Sequence, residues 1–259
     1  MANKVRYEKR DKVATLTLDD PARRNALADD TLDELLERLH QARRDDDVRV
    51  VILRSADPKV FSSGGNLKAF TDDRPILEKY DDLDRFPRLY EDIANLGKPI
   101  VCAAEGDVLA GAFGLALACD FIVAVDDVRF GCPEINVGVF PFMISALIYR
   151  SVPRAKANEL IMTGELISAQ EASRMDIVNR VVSRENFDEE LSSLVERLAS
   201  RSPVMMKMGK DALSSTRDMP FGEALDFLKS QLALAFTTQD VGEGVRALME
   251  KREPKWQGK

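Results

Sequence analysis

The chain has 259 residues, 45% hydrophobic and 31% charged, with a formal net charge of −7 at pH 7. That composition is ordinary for a soluble globular protein, no stretch is long and apolar enough to cross a bilayer, and the acidic balance argues against a general nucleic-acid or anionic-membrane binder. The N-terminal run Met1 to Leu16 alternates charged and apolar residues and lacks the apolar segment of a signal peptide, so a cytoplasmic location is expected.

Residues 4–19 read as two strands around a turn near Arg10 and Asp11, closed by Asp20-Pro21. From Thr31 the residues Leu32, Leu35, Leu36, Leu39 and Ala42 recur at helical spacing, which predicts an amphipathic helix to about Arg44. Val48 to Leu53 predicts a buried strand, followed by a turn at Ser63-Gly64-Gly65 and a helical region reaching Leu96. Pro99 to Ala104 is the next strand, with a glycine-rich turn and a short apolar helix behind it, and Phe121 to Val125 is another. Strands that alternate with helices and read as near-continuous apolar runs point to a parallel sheet covered on both faces. Beyond Phe142 the pattern turns helical, around 143–150, 154–162, 169–174, 186–200, 203–214, 220–236 and 240–251, with Ile177 to Val182 as the one strand expected there. An α/β core over 1–200 followed by a helical region over 201–259 is the expected organisation. Tail helices with little core of their own must pack on the core or on another subunit, and oligomerisation is the preferred reading.

Three cysteines cannot all pair. Cys102 and Cys119 lie inside apolar runs and read as small core residues, while Cys132 reads either as a thiol near a site or as a buried inert one. His40 is the only histidine, on the Leu32 to Arg44 helix beside its polar face, so a Ser-His-Asp triad is not expected. No Cys/His/Asp cluster has metal-ligand spacing, and no metal is expected. The run Tyr80 to Arg85 reads as a solvated helix face.

Two glycine-bearing turns follow strands: Phe61-Ser62-Ser63-Gly64-Gly65-Asn66-Leu67-Lys68, and Glu105 to Leu115, which contains Gly106, Gly111 and Gly114. Glycine lets a backbone approach a ligand closely, and a helix N-terminus offers free amides with partial positive charge. Neither turn matches a phosphate P-loop or the dinucleotide fingerprint, and each alone reads as a tight strand-to-helix turn.

Pro21-Ala22-Arg23-Arg24-Asn25-Ala26-Leu27, then Phe61 to Lys68, Gly111 to Asp120, and Phe130-Gly131-Cys132-Pro133-Glu134 stand in the order and spacing of a known family. Later segments match too: Val152-Pro153-Arg154, Ile161 to Glu165, Ala169 to Ala172, and Glu243 through Trp256. Over essentially its whole length the chain resembles the crotonase (enoyl-CoA hydratase/isomerase) superfamily. The resemblance implies an α/β crotonase (ClpP-like) spiral of ββα units with a C-terminal helical trimerisation region, assembled as a homo-oligomer, either trimer or hexamer. It implies an acyl-CoA thioester substrate, with coenzyme A as part of the substrate and no separate cofactor. The amides of Gly65 and Gly111 become the oxyanion hole for a thioester enolate. Two preorganised N–H donors stabilise enolate charge more than the ground-state carbonyl, and losing one costs on the order of 3 kcal/mol. Ser63, Asn66, Leu67 and Lys68 fall in the adenine-binding turn. Ala22, Arg23 and Arg24 fall along the pantetheine–diphosphate stretch, where either arginine singly reads equally as a solvated turn charge.

Glu134 matches one of the two glutamates that enoyl-CoA hydratases use, while Gly114 stands at the other position. Hydration needs a water oriented and deprotonated and a proton delivered to the α-carbon, work the hydratases share between two carboxylates. One carboxylate suffices to carry a proton between carbons, so double-bond isomerisation is preferred. Hydration, decarboxylation, thioester hydrolysis and acyl-CoA binding without turnover stay open; Glu134 as a mere turn cap is the bland alternative. Phe140-Pro141-Phe142-Met143-Ile144 is bulky where many members are glycine-rich. Phe142 is therefore expected to reshape the acyl pocket and change acyl selectivity, and a dry pocket should raise the pKa of Glu134; the alternative is that these residues only pack in the core. Lys207, Lys210, Lys251, Arg252, Lys255 and Lys259 read as CoA-phosphate contacts from a neighbouring subunit or, for most, as surface charges.

Overall fold

The computed structural model describes residues 3–66 and 71–259. The first strands, β1 (Val5–Arg10) and β2 (Val13–Leu18), form an antiparallel hairpin whose turn places Asp11 at φ 51°. Helix α1 (Asp29–Arg44) follows, beginning two residues before the expected Thr31. Asp29 and Asp30 in its first turn and Arg43 and Arg44 in its last complement the helix dipole. Its Leu32, Leu35, Leu36, Leu39 and Ala42 face is buried, as the spacing predicts.

β3 (Val50–Ser55), β5 (Ile100–Ala104), β7 (Phe121–Val125) and β10 (Arg180–Val182) complete a six-stranded sheet in the order β1-β2-β3-β5-β7-β10, parallel from β2 onward. Every residue of the central strand β5 is fully buried, which explains its uninterrupted apolar sequence. The antiparallel β1 at the edge is the departure from an all-parallel reading.

A second, four-stranded sheet was not expected. It consists of β4 (Val60–Ser62), β6 (Asp107–Leu109), β8 (Arg129–Gly131) and β9 (Ile167–Ser168), in that order. β4, β6 and β8 run parallel, and β9 is antiparallel to β8. Strands of two or three residues carry no readable periodicity, so only their pairing reveals them.

The single helical region expected before Leu96 is two helices, α2 (Ile76–Leu83) and α3 (Arg85–Ala94). α4 (Gly111–Ala118) is apolar all round and buried over Ala112 to Ala116. The helices α5 (Phe142–Ser151), α6 (Arg154–Thr163), α7 (Ala169–Arg174), α8 (Phe187–Ala199), α9 (Pro203–Thr216), α10 (Phe221–Ala235) and α11 (Gln239–Met249) follow the helical pattern read from the sequence. The strand expected over Ile177 to Val182 shortens to β10, and β9 adds a second strand in this half. α10 has no buried residue. Among the described residues no helix is long and apolar enough to cross a membrane.

Candidate active site

The small sheet builds the site. Because β4, β6 and β8 are parallel neighbours, their C-terminal ends lie along one edge, where α/β folds present their ligand-binding loops. β4 ends into Ser63-Gly64-Gly65, β6 into Ala110-Gly111, and β8 into a 3-10 turn, Pro133–Val137, that carries Glu134.

The first two turns touch. Gly64 has φ +85°, and a β-carbon there would stand 2.3 Å from Ala110 Cβ and 2.9 Å from the Gly111 nitrogen. Only glycine allows this approach. A β-carbon on Gly111 would in turn stand 3.5 Å from the Gly65 nitrogen, so the two amides share one small space. Ala110, just before α4, adopts φ 54° and ψ −132°, a conformation costing a non-glycine residue of order 1–3 kcal/mol. The sharp turn is fixed by the Ala110 amide donating to Gly131 O at 2.8 Å. Gly111 opens α4, where an N–H has no intrahelical partner. Among the described residues, no backbone bond outside helices and strands uses the Gly65 or Gly111 amide.

Asn25 holds the neighbouring turn. It is fully buried at φ 53°, its amide donating to Ser55 Oγ at 2.8 Å and Phe61 O at 3.1 Å while its Oδ1 accepts from Asp20 N at 2.7 Å. The Ser63 amide donates to Arg24 O at 3.1 Å, and Leu27 N to Gly64 O at 2.8 Å. These bonds place Arg24 beside Ser63 and Leu27 beside Gly64 and Gly65, with Ala22 and Arg23 just ahead of Arg24 in the chain. The two arginines differ. Arg23 Nε pairs with Asp20 Oδ2 at 2.6 Å and its Nη2 with Asp30 Oδ1 at 3.2 Å. Arg24 is exposed, and among the described residues no carboxylate pairs with it. Asn66 is exposed next to Gly65. Leu67 and Lys68 lie outside the described residues.

Glu134 has a buried Oε2 with no hydrogen-bond partner. Burial pushes its carboxyl up to about 7, against a smaller opposing effect of a backbone hydrogen bond. Removal from water favours the neutral acid, and among the described residues no cation compensates. Cys132 is fully buried, its Sγ donating to Leu160 O at 3.2 Å, and burial together with the Glu134 charge pushes its thiol up to about 12. A thiol so held is inert at neutral pH.

Phe86 and Tyr90, one turn apart on α3, went unnoticed in the sequence because aromatics at that spacing read as core. The Phe86 ring covers Gly65 and Gly111, with Cε1 3.1 Å from where a Gly111 β-carbon would be. The Tyr90 hydroxyl donates to Gly111 O at 3.3 Å, and burial, then the Glu134 charge, raise its pKa well above the ordinary phenol value. The stretch expected to line the acyl pocket divides. Phe142 is 75% exposed, its ring 5.1 Å from that of Phe140, whereas Ile144 is 3% exposed and packs toward Gly114.

His40 is half-buried and its Nε2 lies 2.9 Å from Asp92 Oδ2, and among the described residues no hydrogen bond joins it to a serine. Lys210 pairs with Asp120 at 2.6 Å, and Lys207 with Asp211.

The family model for enoyl-CoA hydratase/isomerase matches residues 8–259. The chain therefore belongs to the enoyl-CoA hydratase/isomerase family, within the crotonase superfamily, and is an enzyme of that family acting in acyl-CoA chemistry. It is 33% identical over 267 residues to the carnitinyl-CoA dehydratase of Escherichia coli strain K12, covering all of both chains. The crystal structure of an enoyl-CoA hydratase from Mycobacterium smegmatis superposes with a TM-score of 0.94 at 29% identity, over 98% of each chain. That of an enoyl-CoA hydratase from Bacillus anthracis superposes with a TM-score of 0.93 at 28% identity, over 99% of this chain and all of the other.

Proposed function

We propose that the chain isomerises the double bond of an enoyl-CoA thioester, with Glu134 as the single proton carrier and the Gly65 and Gly111 amides as the oxyanion hole. The buried Oε2 of Glu134, which has no hydrogen-bond partner, carries this reading, because a base of pKa about 7 is half ionised at neutral pH. The thioester carbonyl of a 3-enoyl-CoA accepts from both amides. The Glu134 carboxylate removes a proton from C2, and the electron pair moves through the thioester carbon onto its oxygen, giving a dienolate. The same carboxyl then returns the proton to C4 and the double bond settles between C2 and C3. Coenzyme A enters as part of the substrate, no separate cofactor takes part, and no redox change occurs.

Arg24, with Ala22, Ser63 and Asn66, meets the nucleotide end of the thioester, whereas Arg23 is already held by two carboxylates. A homo-oligomer, trimer or hexamer, is supported by α10, where Phe221, Leu225, Leu228 and Leu232 are 38–80% exposed along one stripe.

The test is mass spectrometry of 3-enoyl-CoA and 2-enoyl-CoA series incubated with the protein in deuterated water. Migration of the double bond without 3-hydroxyacyl-CoA is the expected result. Accumulation of 3-hydroxyacyl-CoA refutes the single-carboxylate mechanism.

A further inference from the structure

Gly114 lies on the first turn of α4, three residues after Gly111. A β-carbon built there would stand 2.5 Å from Ile144 Cγ2 and 2.6 Å from the Tyr90 hydroxyl oxygen, closer than real contacts of this kind come. Other helical glycines show that this closure is local, since Gly209 on α9 and Gly222 on α10 have nothing within 4 Å of the same position.

Neither neighbour yields easily. Ile144 is β-branched, sits on α5 and is 3% exposed. The Tyr90 hydroxyl is tied to Gly111 O at 3.3 Å, and its ring stands 6.3 Å from Phe86, which itself rests on Gly111. A buried aliphatic and a partly buried phenol from two different helices therefore meet over one glycine, and the phenol lies within reach of the charge of Glu134, whose Oε2 is the only unpartnered buried carboxylate oxygen among the described residues.

We propose that Tyr90 and Ile144 are specificity-determining residues: they fill the space beyond Gly114 and deny the site a second carboxylate and the water that it would activate. Water addition to a 2-enoyl thioester breaks one O–H bond, sends hydroxyl oxygen to C3 and a proton to C2. With no room for a water held by a second base, the enolate is left to Glu134 alone. This rests on the isomerase reading and supplies its physical cause.

The experiment compares the parent enzyme, Gly114→Glu, and the triple Gly114→Glu/Ile144→Ala/Tyr90→Phe, which removes both atoms that crowd the position. Each is incubated with 2-enoyl-CoA in ¹⁸O-water and with 3-enoyl-CoA, and its thermal unfolding is recorded. The parent should form no ¹⁸O-labelled 3-hydroxyacyl-CoA. Gly114→Glu alone should melt below the parent and add no label. The triple should melt above Gly114→Glu and form labelled product at least tenfold above the parent's background. Labelled product from the parent overturns the proposal, as does Gly114→Glu matching the triple in hydration at the parental melting temperature. A folded triple that still isomerises but adds no label also overturns it. If the parent fails to isomerise while the triple gains labelled product, the isomerase reading falls and the present one stands.

Discussion

Neutralising Glu134 should change both stability and rate, each with its own pH signature. In Glu134→Gln the shape is kept and the charge removed. The carboxyl titrates near 4.5 in an unfolded chain and near 7 in the native site, because burial penalises the ionised form. The folded state thus holds the proton more tightly. Stability from this group is fully present below pH about 4.5 and is lost as pH rises through about 7. The full difference corresponds to at most about 3 kcal/mol, reduced to about 2 kcal/mol for the part of the side chain that still meets water. At 2–4 °C per kcal/mol, Glu134→Gln should melt about 4 to 8 °C above the parent at pH 8.5 and level with it at pH 4.5. Comparing the two proteins at each pH cancels every other titrating group. In parallel, kcat/KM of the parent for a 3-enoyl-CoA should rise with pH through a limb near 7, as the base deprotonates. The variant should lose on the order of 10²- to 10⁴-fold in kcat. Parallel melting curves at both pH values, or a rate surviving the substitution, would refute the reasoning.

The remaining predictions concern the same edge of the small sheet. Gly111→Ala places a methyl 3.5 Å from the Gly65 nitrogen and 3.1 Å from the tip of the Phe86 ring, which can shift. Its kcat should fall about 10²- to 10³-fold with circular dichroism unchanged. Gly65→Ala, whose β-carbon meets only Phe86 Cζ at 4.0 Å, should lose less than about tenfold in the same assay. Arg24→Ala should raise KM for CoA thioesters by about tenfold, equivalent to about 1.4 kcal/mol, and leave pantetheine thioesters unchanged. Arg23→Ala should shift KM less, because Asp20 and Asp30 already hold its guanidinium. Asn25→Ala removes the buried bonds to Ser55, Phe61 and Asp20 and should cost about 2 to 3 kcal/mol in denaturant unfolding.

The sequence by itself determined the large elements and the identity of the turns. Leucines at helical spacing define α1, the apolar run from Ile100 to Ala104 reads as a buried strand, and α4 is apolar on every face. These signals are local, because burial on one face or all faces leaves its period in adjacent residues. Gly65, Gly111 and Glu134 were also legible, through their resemblance to a family pattern. Their shared edge was not, because β4, β6 and β8 have three residues each and exist only through pairing with one another. Phe86 and Tyr90 were missed for the same reason: an aromatic pair on a helix looks identical whether it faces core or catalytic space. Phe142 and Ile144 stand two residues apart in one apolar run, and only the packing of α5 on α4 sends one outward and the other onto Gly114. A dry site predicted the direction of the Glu134 shift, but its size belongs to the tertiary structure. Desolvation is set by which distant segments close over a group, and no residue's neighbours in the chain record that.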